Sequence, residues 1–97
     1  MKIAEGVRVT SFFPGRVRLK VDDLRGNQVL AQAVEVRLAS IDGIRHVEAN
    51  PASGSLLVKY DRRQIAQTAS ARALGAALRE LFPRIDFSRF EHWLAAG

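Results

Sequence analysis

The run Arg16-Val17-Arg18-Leu19-Lys20-Val21 constrains the fold more than any other stretch of the chain. Side chains alternate across a strand, so this run sends Val17, Leu19 and Val21 to one face and Arg16, Arg18 and Lys20 to the other. A buried parallel strand would read as continuously apolar. An alternation this regular belongs to an antiparallel sheet with one face covered and one open to solvent. The covered face is core, and the open face is a basic surface.

Upstream, Val7, Val9 and Ser11 alternate with Arg8, Thr10 and Phe12 before Phe13-Pro14-Gly15. The Pro-Gly pair fits a type II turn that makes residues 7–21 a hairpin, or a bulge inside one long first strand. The broken alternation at Phe12-Phe13 favours the bulged strand and predicts that one of the two rings is partly exposed. Asn27 is placed to cap a helix over residues 28–40, with Leu30, Val34, Leu38 and Ile41 on its inner face and Gly43 ending the element. Residues 44–50 and 55–60 read as a hairpin around Asn50-Pro51-Ala52-Ser53-Gly54. In it Val47, Ala49, Leu56, Val58 and Tyr60 face inward, and His46, Glu48, Leu57 and Lys59 face outward.

Residues 61–67 carry no consistent period and read as a connection that tucks Ile65 inward. Thr68 or Ser70 then caps a helix whose stripe is Leu74, Ala77, Leu78 and Leu81, ending at Phe82-Pro83. Arg84-Ile85-Asp86-Phe87 alternates as a short last strand. Ser88-Arg89-Phe90-Glu91 has the form of a capping box, opening a short C-terminal amphipathic helix with Phe90, Trp93 and Leu94 on its apolar side. The order strand, helix, strand, strand, helix, strand is that of an α+β, ferredoxin-like βαββαβ sandwich: a four-stranded antiparallel sheet with two helices on one face. That domain spans residues 1–87, and the short helical tail spans 88–97. The first strand is central, and the open face collects Arg16, Arg18, Lys20, Lys59, His46 and Glu48, with Leu57 among them.

Ninety-seven residues make one domain. The chain has no cysteine, which removes disulfides, thiolate zinc sites, iron–sulfur clusters and a cysteine nucleophile. Formal charge is +5, and twelve of the fifteen cations are Arg, the side chain suited to bidentate contact with carboxylate or phosphate. No apolar run approaches the ~18 residues of a membrane span, and residues 1–6 lack the apolar core of a secretory signal. The expected location is the cytoplasm.

Gly15-Arg16-Val17-Arg18-Leu19, the segment from Leu38 to Asn50 with its Gly43-Ile44-x-x-Val47-x-x-Asn50 pattern, and Gly54-Ser55-Leu56-Leu57-Val58-Lys59-Tyr60-Asp61 together resemble the heavy-metal-associated domain family over residues 7–82. The resemblance is to its bacterial subgroup lacking the metal-binding cysteines. Metal-carrying members hold Cu(I) or Zn through a Cys-x-x-Cys loop between the first strand and first helix; here Asp22 to Asn27 occupy that loop. Cu(I) selects sulfur ligands, and the lone sulfur is Met1, which argues against a soft-metal carrier. The resemblance implies a small domain, alone or fused to P-type metal-transport ATPases, that works by contact with other metal-handling proteins in metal homeostasis, iron among the candidates.

Other chemistry is weighed against this. Asp22 and Asp23 with His46 or Glu48 are the candidate ligands of a hard-cation site, although adjacent acids before a helix also suit its positive N-terminus. His46 and His92 are the only imidazoles, and a dimer would bring equivalent ones together more easily than a monomer. RNA-recognition modules share the topology but stack bases on aromatics of the central strands, where this chain has Arg16, Arg18, Lys20 and Lys59. What remains is weak, sequence-blind phosphate contact. Acylphosphatases also share the fold, and Gly15-Arg16-Val17 and Asn50 resemble their Arg and Asn. Their phosphate cradle is missing, because Leu19-Lys20-Val21-Asp22 continues as strand and turns acidic. The expectation is a non-catalytic interaction or regulatory module with no cofactor. Its partner surface is Arg16, Arg18, Lys20, Lys59 and Leu57 for an acidic protein, with Phe90 and Trp93 as apolar anchors. A symmetric homodimer is the cheapest assembly. The alternatives are a His/Asp/Glu metal site shared across a dimer, and a nonspecific nucleic-acid binder.

Overall fold

A computed structural model describes residues 1–88 of the chain. Its strands are β1 (Lys2–Ala4), β2 (Val7–Phe13), β3 (Arg16–Val21), β4 (Ile44–Asn50) and β5 (Ser55–Tyr60). The helices are α1 (Gln28–Ala39), the single turn α2 (Arg62–Ile65) and α3 (Thr68–Leu81). The strands form one antiparallel sheet in the order β1-β2-β3-β5-β4. The α+β class and the central place of residues 16–21 hold; the four-stranded sheet does not, because the described residues form a sheet of five strands.

The difference has two linked causes. Pro14-Gly15 is a hairpin turn rather than a bulge: Phe13 pairs with Arg16, and Gly15 has φ +85°, as the third residue of a type II turn requires. A β-carbon there would also lie 3.1 Å from the Tyr60 carbonyl oxygen. The bulge that breaks the alternation sits instead where the register shifts between Val9 and Ser11. With β2 on one side of β3 and β5 on the other, both edges of β3 are satisfied, and no vacancy is left for a strand at 84–87. That segment turns instead, with the Ile85 N–H bonding the Phe82 carbonyl at 3.0 Å. The unit β3-α1-β4-β5-α3 keeps the ferredoxin-like path, and β2 stands where its fourth strand would lie. Residues 89–97 of the C-terminal helix expected at 88–97, with Phe90, His92 and Trp93, lie outside the described residues.

The core is built as the alternation requires. Val17, Leu19 and Val21 of β3 are each 1% exposed and meet Leu56, Val58 and Tyr60 of β5, Val47 of β4, and the helices. Asn27 caps α1, its side chain accepting the Leu30 N–H at 3.0 Å. Ala31, Val34 and Leu38 bury its inner stripe, while Val29 and Val36 are exposed, so packing rather than propensity holds this helix. α3 starts differently from expectation: its N-cap is Gln67 with no side-chain cap bond, and Ser70 is buried. Ile65 is 2% exposed, turned inward by α2. Phe82 is fully buried against Phe87, ring centroids 5.6 Å apart. Arg37 of α1 and Glu80 of α3 pair at 2.8 Å across the outer surface.

Candidate functional site

Residues paired across antiparallel strands share a face, so the register lays out the open side of the sheet as three rows. One row runs Lys2-Arg8-Lys20-Ser55-Asn50 from β1 to β4. The middle row is Ser11-Arg18-Leu57-Glu48, and the last is Phe13-Arg16-Lys59-His46. Cation therefore stands directly opposite cation at Lys2 and Arg8, at Arg8 and Lys20, and at Arg16 and Lys59. Like charges in this position destabilise a sheet. Among the described residues, the carboxylate within these rows is that of Glu48.

Each side chain has a defined setting. Lys20 Nζ donates to the Ser53 carbonyl at 3.2 Å, tying β3 to the β4–β5 loop. Arg8, Arg18 and Lys59 are exposed, and Arg16 and Lys20 are half-buried. His46 Nε2 lies 3.0 Å from Glu48 Oε1. The His46 hydrogen bond, then the charges of His46, Lys59 and Arg18, hold the Glu48 carboxyl below its ordinary pKa. Leu57 is 8% exposed although it points away from the helices, with Arg18 and Glu48 as its paired neighbours. It belongs to the floor of this face. Both hairpin phenylalanines show: Phe13 is 61% exposed on the basic face and Phe12 is 36% exposed.

The acidic candidates do not gather. Asp22 and Asp23 lie in a 3₁₀ turn after β3, beyond the Lys20 end of the sheet, and Asp23 faces Arg84 at 3.5 Å. His46 sits in the row of Arg16, toward the other end. Among the described residues, no group of three His, Asp or Glu side chains is placed to hold a metal ion. The sequence reading brought together Arg16, Arg18, Lys20 and Lys59 but missed Lys2, Arg8 and Phe13 on the same face. The signal for Phe13 was the Pro-Gly turn, which as a hairpin sets it against Arg16; Arg8 meets Lys20 only because the bulge between Val9 and Ser11 shifts the register by one residue.

Residues 2–82 match the family described as Heavy metal associated domain 2, and the chain belongs to that family. It is 42% identical over 69 residues, 71% of this chain, to a zinc-exporting P-type ATPase of Mycobacterium marinum. It is 38% identical over 71 residues, 73% of the chain, to a manganese-exporting P-type ATPase of Mycobacterium tuberculosis. A manganese-exporting P-type ATPase of Mycobacterium leprae is 38% identical over 80 residues, 77% of the chain. The matched region is 9% to 11% of the length of these relatives. No solved structure matches the chain. No helix among the described residues is long and apolar enough to cross a membrane.

Proposed function

We propose that this domain is a non-catalytic interaction and regulatory module of metal transport that binds an acidic protein partner through its open sheet face. The observation that carries the reading is the cation-on-cation register of Arg16 with Lys59 and of Arg8 with Lys20. A sheet that needed only to fold would gain by setting opposite charges there; a face that receives carboxylates would keep the cations. Kinship with metal-exporting P-type ATPases supports metal handling as the setting, and an ATPase of that kind, or another metal-handling protein, as the partner. The lack of cysteine and the separation of Asp22 and Asp23 from His46 and Glu48 favour contact over carriage of the ion.

Calorimetric titration of the tag-free chain with Zn(II), Mn(II) and Fe(II) under anaerobic conditions, with mass by light scattering in the same samples, separates the two. The interaction reading expects no stoichiometric binding tighter than about 1 μM, equivalent to ~8 kcal/mol. Tighter stoichiometric binding would replace it with a metal site built from His46, Glu48 or the acidic turn. Such binding appearing only with a dimeric mass would assign the site to two copies.

A further inference from the structure

We infer that the open face takes an extended acidic segment of its protein partner, with carboxylates at alternate residues, laid along β3. This rests on the basic-face reading above and specifies the form of the partner. Alternate residues of a strand lie about 6.7 Å apart, so Arg16, Arg18 and Lys20 repeat at the interval with which an extended peptide presents every second side chain. A helix presents side chains four apart at a similar rise of about 6 Å, but its 3.6-residue turn swings the third member of such a series off the straight track. The flanking charges repeat the pattern at both ends: Arg8 stands beside Lys20 from β2, and Lys59 stands beside Arg16 from β5. A three-acid motif thus meets paired cations at its outer positions. Its central acid meets Arg18 alone, next to Leu57 and the competing Glu48 carboxylate.

Phe13, opposite Arg16 and 61% exposed, adds an apolar contact at one end and gives the track a direction. The segment that fits carries an apolar residue just beyond its last acid at that end. A nucleic-acid strand fits less well, because the open-face positions of the central strands β3 and β5 are Arg16, Arg18, Lys20, Ser55, Leu57 and Lys59, and the rings on this face, Phe13 and His46, stand on the flanking strands β2 and β4.

The test is fluorescence anisotropy on the whole chain with two labelled peptides of identical composition, Asp-Ser-Asp-Ser-Asp-Ser-Phe and Asp-Asp-Asp-Ser-Ser-Ser-Phe, alongside an oligothymidylate of equal charge. The alternating peptide is expected to bind at least about tenfold more tightly than its clustered isomer. Arg8→Glu should erase that preference, and Glu48→Gln should tighten both peptides. Equal affinity for the isomers would overturn the strand-spaced register while leaving an acidic partner in place. Binding of neither peptide would overturn both readings, and tighter binding of the oligothymidylate would give the face to a nucleic acid instead.

Discussion

Arg16 on β3 and Lys59 on β5 stand directly opposite each other in the antiparallel register. The pair costs the sheet stability, and a charge reversal should recover it. Lys59→Glu is expected to raise unfolding stability by about 0.5 kcal/mol and to weaken binding of an acidic probe in the same preparation. Denaturant unfolding and anisotropy measured side by side check both. A variant that loses stability while keeping its affinity would show that Lys59 serves the fold.

Gly54 closes the β4–β5 hairpin with φ +77°, and a β-carbon there would lie 2.6 Å from Arg25 Cγ and 3.0 Å from the Val21 carbonyl oxygen. Its own carbonyl accepts the Val21 N–H at 2.8 Å, so the turn also fixes the end of β3. Gly54→Ala should destabilise the domain by about 1–3 kcal/mol, read as a lower denaturant midpoint. An unchanged midpoint would mean that the loop relaxes freely and does not hold β3.

Glu35 reaches from α1 to accept the Ala49 N–H of the edge strand β4 at 3.0 Å. A satisfied edge resists pairing with another chain. Glu35→Ala is expected to cost about 1–2 kcal/mol and to promote concentration-dependent association by light scattering, whereas Glu35→Gln, which retains an acceptor, should restore much of both. If Glu35→Ala keeps the wild-type mass and full stability, the edge is protected by something else.

Asp61 caps α2, its carboxylate accepting the Gln64 N–H at 3.0 Å and pairing with Arg45 at 2.9 Å. These contacts, the backbone bond first, hold its pKa below the ordinary value. A group whose folded pKa is depressed stabilises above its unfolded pKa and loses that contribution as pH falls through the folded value. Asp61→Asn should therefore be less stable than wild type at neutral pH. In urea unfolding across pH, the difference should begin to shrink as pH falls below about 4, the range of an unperturbed carboxyl, and close as pH passes the depressed folded value. A gap that does not narrow as pH falls below about 4 would place the effect in packing rather than charge.

Much of this was legible in the sequence because β3 alternates without interruption: Val17, Leu19 and Val21 had to face the core, and Arg16, Arg18 and Lys20 the solvent. Asn27 as a cap and the inward Val47, Leu56, Val58 and Tyr60 followed from equally local rules. The turn at Pro14-Gly15 did not, because the register shift between Val9 and Ser11 breaks the period of β2 a few residues early and makes the alternation look like one bulged strand. That single ambiguity displaced Arg8 and Phe13 from the site and left residues 84–87 to fill a strand position that β2 already held. The burial of Leu57 on the open face was also beyond the pattern, since alternation gives the face of a residue and not what its neighbours cover.

On the proposed function, this domain presents its basic sheet face, and not a bound metal, to its partner. The most direct test is the affinity of the Arg16→Glu/Arg18→Glu double variant for poly-L-glutamate against that of wild type, with thermal unfolding of both. Wild type should bind with an affinity that falls as salt rises, and the variant should lose binding while keeping a cooperative unfolding transition. Equal affinity in the two proteins would contradict the account, and so would a variant that no longer folds, because Arg16 and Arg18 would then be holding the structure together.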